Sequence, residues 1–186
     1  MTLLQFDILA WIAWAIGWFT GGLFVNRTRA AEGKLIRLQH LLPIAVGFVL
    51  ILHDRHRPLL VGRLYESPII EWVGAAITVA GMAFAVWARV HLGRYWSGVI
   101  TLKEGHRLIR TGPYRLARHP IYTGFLAAVL GTASTASTGD AFIGAAMILI
   151  AYLIKIRREE RVLAGEFGEE YALFRREVAA LVPMLY

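Results

Sequence analysis

Apolar residues fall along this chain in five blocks separated by polar segments. Leu3 to Val25 is broken only by Gln5, Asp7 and Thr20, and a run of that length crosses a hydrocarbon layer of ~30 Å as a helix. A shorter run from about Leu38 to Leu52, with Pro43 in its first turns, predicts a second span, and Pro68 to Val90 a third. The fourth starts at Pro120, which suits a first helical turn because its missing N–H would lack an intrahelical partner there. It continues as IYTGFLAAVLGTASTAS, thick with the small residues that let membrane helices approach closely. After a turn at Gly139 and Asp140, a fifth span covers Ala141 to Ile156, so helices four and five are expected to form a tight hairpin.

The period changes at Arg157. Val162, Leu163, Phe167, Tyr171, Phe174, Val178 and Leu181 advance by three or four residues, which puts them on one face of an amphipathic helix. Gly165 and Gly168 are its candidate break points. The expected fold is an all-α integral membrane protein with about five transmembrane helices and a C-terminal amphipathic helix beneath them. It reads as a single membrane domain over 1–186, in which 1–91 is a lipid-side scaffold and 92–186 carries the chemistry.

Composition supports membrane residence: 57% of the 186 residues are hydrophobic and the mean hydropathy is +0.53, far above soluble domains. The first block lacks the basic start of a signal peptide, since Asp7 is its only charge before Arg27, and is expected to remain as a span. Trp11, Trp14 and Trp18 lie mid-span at helical spacing, where packing against other helices is expected in place of an interfacial belt. Absent cysteines exclude a disulfide framework, thiolate metal ligands and a cysteine nucleophile. No G-x-S-x-G elbow is present for a serine hydrolase.

The net charge of +7 would suit nucleic acid in a soluble protein, but here it reports the loops. All the lysines and arginines except Arg55, Arg57 and Arg63 fall on the segments after spans one, three and five or, for Arg89 and Lys155, at the ends of spans three and five that lead into them. The positive-inside rule then puts the N-terminus outside and the C-terminus in the cytoplasm. His53 and His56 have an i, i+3 spacing open to a metal, but no third ligand lies nearby, and an ordinary polar loop is the preferred reading. No metal and no nucleic acid partner are expected.

Two polar clusters share the cytoplasmic side. Arg118, His119, Pro120 and Tyr122 sit where span four begins, and a helix N-terminus with an adjacent arginine favours an anion; lipid phosphate at headgroup level is the simpler occupant. Lys155-Ile156-Arg157-Arg158-Glu159-Glu160 ends span five. A carboxylate there suits a ribose, an amine or a sulfonium, or serves only to neutralise its arginines on a solvated face.

The ordered blocks GPYRLARHPIYTG, GTA and KIRREERVLAGEFGEEYALFRREV followed by Pro183 resemble the isoprenylcysteine carboxyl methyltransferase family, and more distantly the phospholipid N-methyltransferases. The resemblance covers His91 to Pro183 and leaves the first two spans without a motif. It implies an integral membrane enzyme that uses S-adenosylmethionine without a Rossmann domain and releases S-adenosylhomocysteine. Carried over residue by residue, it implies cofactor contacts at His106, Leu108, Ile109, Tyr114, His119, Pro120, Ile121, Tyr122 and Glu159. Arg118 and Lys155 would be the catalytic pair, holding an anionic acceptor.

Two departures bear on the acceptor: Lys155 stands where the family has an arginine, and Val99 where it has an amide side chain. Lysine keeps the charge and loses the planar fork. The expected acceptor is a lipid or prenylated small molecule bearing a carboxylate or similar nucleophile, met among membrane lipids at the cytoplasmic face of a prokaryotic inner membrane. A phosphatidylethanolamine-type N-methyltransferase, an NADPH-dependent enzyme resembling sterol reductases, and a non-catalytic membrane scaffold remain as alternatives. Gly112 is expected to supply a turn that lets backbone approach the ligand.

Overall fold

The computed structural model describes residues 1–21, 28–31, 34–53, 56–96, 101–103 and 107–182. Five helices occupy the five apolar blocks: α1 (Leu3–Gly21), α2 (Lys34–Leu52), α3 (Pro68–Leu92), α4 (Pro120–Ala136) and α5 (Gly139–Glu177). By length and composition, α3 and α5 are long and apolar enough to cross a membrane, with mean hydropathies of 1.9 and 1.8, whereas the apolar parts of α1 and α2 are the shorter stretches Leu3–Trp18 and Leu38–Leu52. Besides helices and loops, the described residues include a two-stranded antiparallel ribbon, β1 (Thr28–Ala31) with β2 (Thr101–Lys103).

Helix boundaries follow local chemistry. Ser67 caps α3 by accepting from the Ile70 N–H, with Pro68 at the first helical position. Thr138 does the same for α5 through the Ala141 N–H, after Ser137 turns the chain in a left-handed conformation (φ 57°). Pro120 opens α4 as its sequence position predicts.

Small residues decide which helices touch. A side chain added at Gly81 would lie 2.5 Å from the Gly124 carbonyl oxygen, and one at Gly74 would lie 2.7 Å from that of Gly131, so α3 and α4 are in backbone contact. Gly47 and Gly144 bring α2 and α5 equally close. The Gly/Ala/Thr face of α4 is thus spent on α3. The tight hairpin expected of α4 and α5 is two neighbours joined by a two-residue turn, with the closest approaches made to α3 and α2 instead.

Loop pairings define two ends. At one, β1 after α1 bonds to β2 after α3, and the segment before α4 meets the far part of α5 through Arg118 and Glu160. At the other, the Asp140 carboxylate accepts from the N–H groups of Leu59, Leu60 and Val61 at 2.6, 3.0 and 2.7 Å, and the Tyr65 hydroxyl donates to the Ser134 carbonyl. The segments after α1, α3 and α5 therefore lie together, opposite the α2–α3 loop.

The core is aromatic. Trp11 donates to Thr132 Oγ1 at 2.9 Å and packs edge-on against Trp14, Phe48 and Phe125, so the mid-span tryptophans pack between helices.

The tail differs from expectation. It does not begin at Arg157, because α5 continues past the apolar run to Gly168 (φ 50°, ψ −121°), where two helical stretches meet at a kink, at the second of the two expected break points. Its charged stretch is rich in Glu, Arg, Leu and Ala, strong helix formers, so nothing stops the helix where the apolar run ends.

Candidate functional site

The site lies at the end shared by the polar clusters. Its first wall is the loop from Arg107 to His119. A short turn at Gly112–Arg115 begins with Gly112 at φ 58°, a conformation costly for any residue with a Cβ. Such a Cβ would fall 2.6 Å from the His91 ring, so Gly112 makes room for α3 and not for a ligand, contrary to expectation. His91 also bonds Thr111 Oγ1 at 2.8 Å and stacks on Tyr114. The loop is thereby held on the last turn of α3, and Tyr114 is buried. Burial, reinforced by the Glu159 charge, pushes the Tyr114 phenol well above its usual range, so it acts as a protonated donor and not as a base.

The second wall is the N-terminus of α4. His119 makes no side-chain cap, so the Ile121 and Tyr122 N–H groups have no i−4 partner within the helix. Its entry is fixed by strand-like bonds, Arg118 N–H to the Ala179 carbonyl (2.8 Å) and His119 N–H to that of Ala180 (3.0 Å), while Thr123 Oγ1 donates to the Leu181 carbonyl (2.7 Å).

The third wall is α5, where adjacent carboxylates diverge. Glu159 Oε2 accepts from the Tyr122 hydroxyl at 2.7 Å and lies 4.0 Å from His119 Nδ1. Glu160 Oε1 accepts from Arg118 Nε and Nη2 at 2.8 and 2.7 Å and lies 3.4 Å from His119 Nε2. Burial raises the Glu160 carboxyl, but the hydrogen bonds and charges of His119 and Arg118 outweigh it and hold the group at about 2. The remaining Arg118 nitrogen donates to the carbonyls of Val178 and Arg175.

Arg118 therefore lines the site with four of its five N–H donors engaged by Glu160, Arg175 and Val178. The expected anion clamp is instead a clamp on Glu160 and on the chain after α5.

Between these walls lies a cleft, partly open to solvent. Leu108, Ile109, Tyr114, Arg118, His119, Pro120, Ile121, Tyr122 and Glu159 all face it. His106 and Val99 lie outside the described residues. Lys155 is not on the lining; it is buried one turn before Glu159, its Nζ 5.2 and 5.8 Å from the ring centres of Tyr122 and Tyr152.

Sequence reasoning missed several lining residues. Leu92, Tyr95 and Trp96 come from the end of α3, and Val162, Leu163, Tyr171 and Phe174 from the apolar stripe of α5. That stripe was legible as a periodicity, and these four of its residues line the cleft. The Tyr171 hydroxyl is buried without a hydrogen bond of good geometry among the described residues, beside Arg118. Among the described residues no group of His, Cys, Asp or Glu is arranged to hold a metal.

Ligand sites combine apolar and aromatic lining with a few convergent polar groups, and the lining of this cleft has that character. It offers a carboxylate, aromatic faces, a helix N-terminus and one orphaned hydroxyl.

Comparison with known proteins points the same way. The family described as the isoprenylcysteine carboxyl methyltransferase (ICMT) family matches residues 73–165. A probable protein-S-isoprenylcysteine O-methyltransferase of Oryza sativa subsp. indica is 31% identical over 163 residues, 86% of this chain and 84% of that one. Methanethiol S-methyltransferase 1 of Bradyrhizobium diazoefficiens is 30% identical over 128 residues, 61% of this chain and 44% of that one. A solved structure of the eukaryotic intramembrane Ras methyltransferase ICMT shares the fold with a TM-score of 0.55 at 16% identity, over 84% of this chain and 55% of that one.

Proposed function

Because the chain belongs to the isoprenylcysteine carboxyl methyltransferase family and is a membrane methyltransferase of that type, we propose that the cleft takes S-adenosylmethionine and methylates a membrane-borne anionic acceptor. The observation that carries the reading is the Tyr122–Glu159 bond, which joins the two polar clusters of the sequence in one wall. The donor set suits the cosubstrate. Glu159 has lone pairs for ribose hydroxyls or an amino group, the free N–H groups of Ile121 and Tyr122 suit a carboxylate, and the rings of Tyr114 and Tyr122 suit adenine or a sulfonium.

Bound there, S-adenosylmethionine would supply a methyl group already activated by its sulfonium. The protein's task is then to align and to exclude water, effects able to provide ~7 kcal/mol or more. Tyr171, Phe174, Val162 and Leu163 cover the cleft with apolar surface, which dries it. Lys155 keeps a positive charge behind Tyr122 at the membrane-facing base of the site, where it attracts an anion. Glu159 is held by Tyr122, and Glu160 is held by Arg118 and His119. Among the described residues lining the cleft no carboxylate is left over to deprotonate an amine, which favours an acceptor that needs no base, such as a carboxylate or thiolate, over a phosphatidylethanolamine amine. The concentration of Lys and Arg at this end supports a cleft that faces the cytoplasm.

Equilibrium binding of S-adenosylhomocysteine to the detergent-purified protein tests the reading. Binding is expected in the micromolar range typical of such sites, with loss in a folded Glu159→Ala variant. Absence of binding, with NADPH bound instead, overturns it. A radiolabelled-methyl assay on membrane lipids and on small prenylated thiol acids then separates a base-labile ester from a headgroup product.

A further inference from the structure

Arg89 takes no part in the chemistry above, yet it is 9% exposed on a helix of mean hydropathy 1.9. A guanidinium at such a place is costly unless it is held. It is held in the corner between two indoles: its central carbon lies 4.3 Å from the ring centre of Trp18 and 3.8 Å from that of Trp96. The two indoles meet edge to face at 5.4 Å. Nη1 donates to the Trp18 carbonyl, in the last turns of α1 where helix carbonyls run out of partners. Nη2 is buried with no hydrogen-bond partner among the described residues.

The two rings belong to different parts of the molecule. Trp18 ends α1, which lies outside the matched residues 73–165, whereas Trp96 lines the cleft beside Leu92, one turn beyond Arg89. A guanidinium can lie against both rings and still donate to a carbonyl through its rigid fork. We propose that Arg89 is a positioning residue for the methyl-transfer site, holding the Trp96 indole as a fixed wall of the cleft and tethering α1 to it. The inference rests on the methyltransferase reading of the cleft. It gives α1, which carries no motif, a share in the site.

Two things follow physically. Without the cation, Trp96 regains rotamer freedom that ligand binding must then remove. With lysine in its place, charge remains but the planar fork that meets the rings and the carbonyl together does not.

Titration with S-adenosylhomocysteine, read by tryptophan fluorescence in the detergent-purified protein, tests this. Arg89→Met is expected to weaken binding about tenfold and Arg89→Lys about threefold, the scale of a desolvated cation–π contact. In a Trp96→Phe background, with its smaller ring and weaker stack, the same substitutions should cost about twofold or less. If Arg89→Met does not fold, the Arg89→Lys pair in the two backgrounds decides. Equal losses in both backgrounds, or no loss in either, overturn the inference while leaving the methyltransferase reading intact. No binding by the unsubstituted protein overturns both.

Discussion

Glu160→Gln isolates the contact that closes the site. In the protein, one carboxylate oxygen takes two Arg118 N–H groups at 2.7 and 2.8 Å, and Arg118 in turn holds the carbonyls of Arg175 and Val178. The amide oxygen of glutamine still accepts, but hydrogen bonds to an ionised group are about twice as strong as neutral ones. Each bond therefore loses ~1 kcal/mol. Screening at the cleft mouth reduces the sum to ~1–2 kcal/mol, or about five- to thirtyfold in the equilibrium for releasing the chain after α5.

Hydrogen exchange followed by mass spectrometry reads this directly on a peptide containing the Arg118 and His119 amides. Those two N–H groups donate to Ala179 and Ala180, so their exchange should quicken by that factor while the α4 interior is unchanged. The pH dependence supplies a second arm. Glu160 is lowered from 4.5 to about 2, so its contribution is complete above about 4.5 and disappears as pH falls through about 2. Between pH 5 and 8 the protection should be independent of this group, and the Gln variant should lack the acid-dependent part. Unchanged protection in Glu160→Gln would refute the clamp.

Tyr122→Phe removes the 2.7 Å bond to Glu159 and is expected to weaken S-adenosylhomocysteine about tenfold by calorimetry, the value of a hydrogen bond to a charged group. Gly81→Ala places a methyl 2.5 Å from the Gly124 oxygen and 2.6 Å from the Ala128 nitrogen. Backbone cannot swing aside as a side chain can, so the cost should approach the ~3 kcal/mol upper range of overpacking, seen as a lower Tm. Gly168→Ala meets no atom within 4 Å but forces a side chain onto φ 50°, ψ −121°, a strain of ~1–3 kcal/mol. The helix beyond it should shift, and ligand affinity should fall more than Tm. Asp140→Ala strips the acceptor from three N–H groups; solvent replaces part of it, leaving a loss of ~1–2 kcal/mol in thermal stability with binding unchanged.

Much of this protein was written in its one-dimensional pattern. Five apolar blocks became five helices, Pro120 opened α4, and the segments rich in Lys and Arg lie at one end. These properties depend on residues near one another in the chain, through hydropathy, capping and charge. The cleft residues from Leu108 to Tyr122 and Glu159 were legible as motifs, because a ligand-facing loop keeps polar and aromatic residues that a lipid-facing helix discards. Partner choice was not legible. The small residues of α4 announced a close approach without saying that α3 would make it, and Arg118 announced a donor without saying that Glu160, 42 positions away, would consume it. The stripe on α5 had the same periodicity whether it faced lipid or a ligand. Only the bend at Gly168 and the bonds after Glu177 turn it onto the cleft, since which surface an amphipathic face covers is a property of the assembled helices and not of the face.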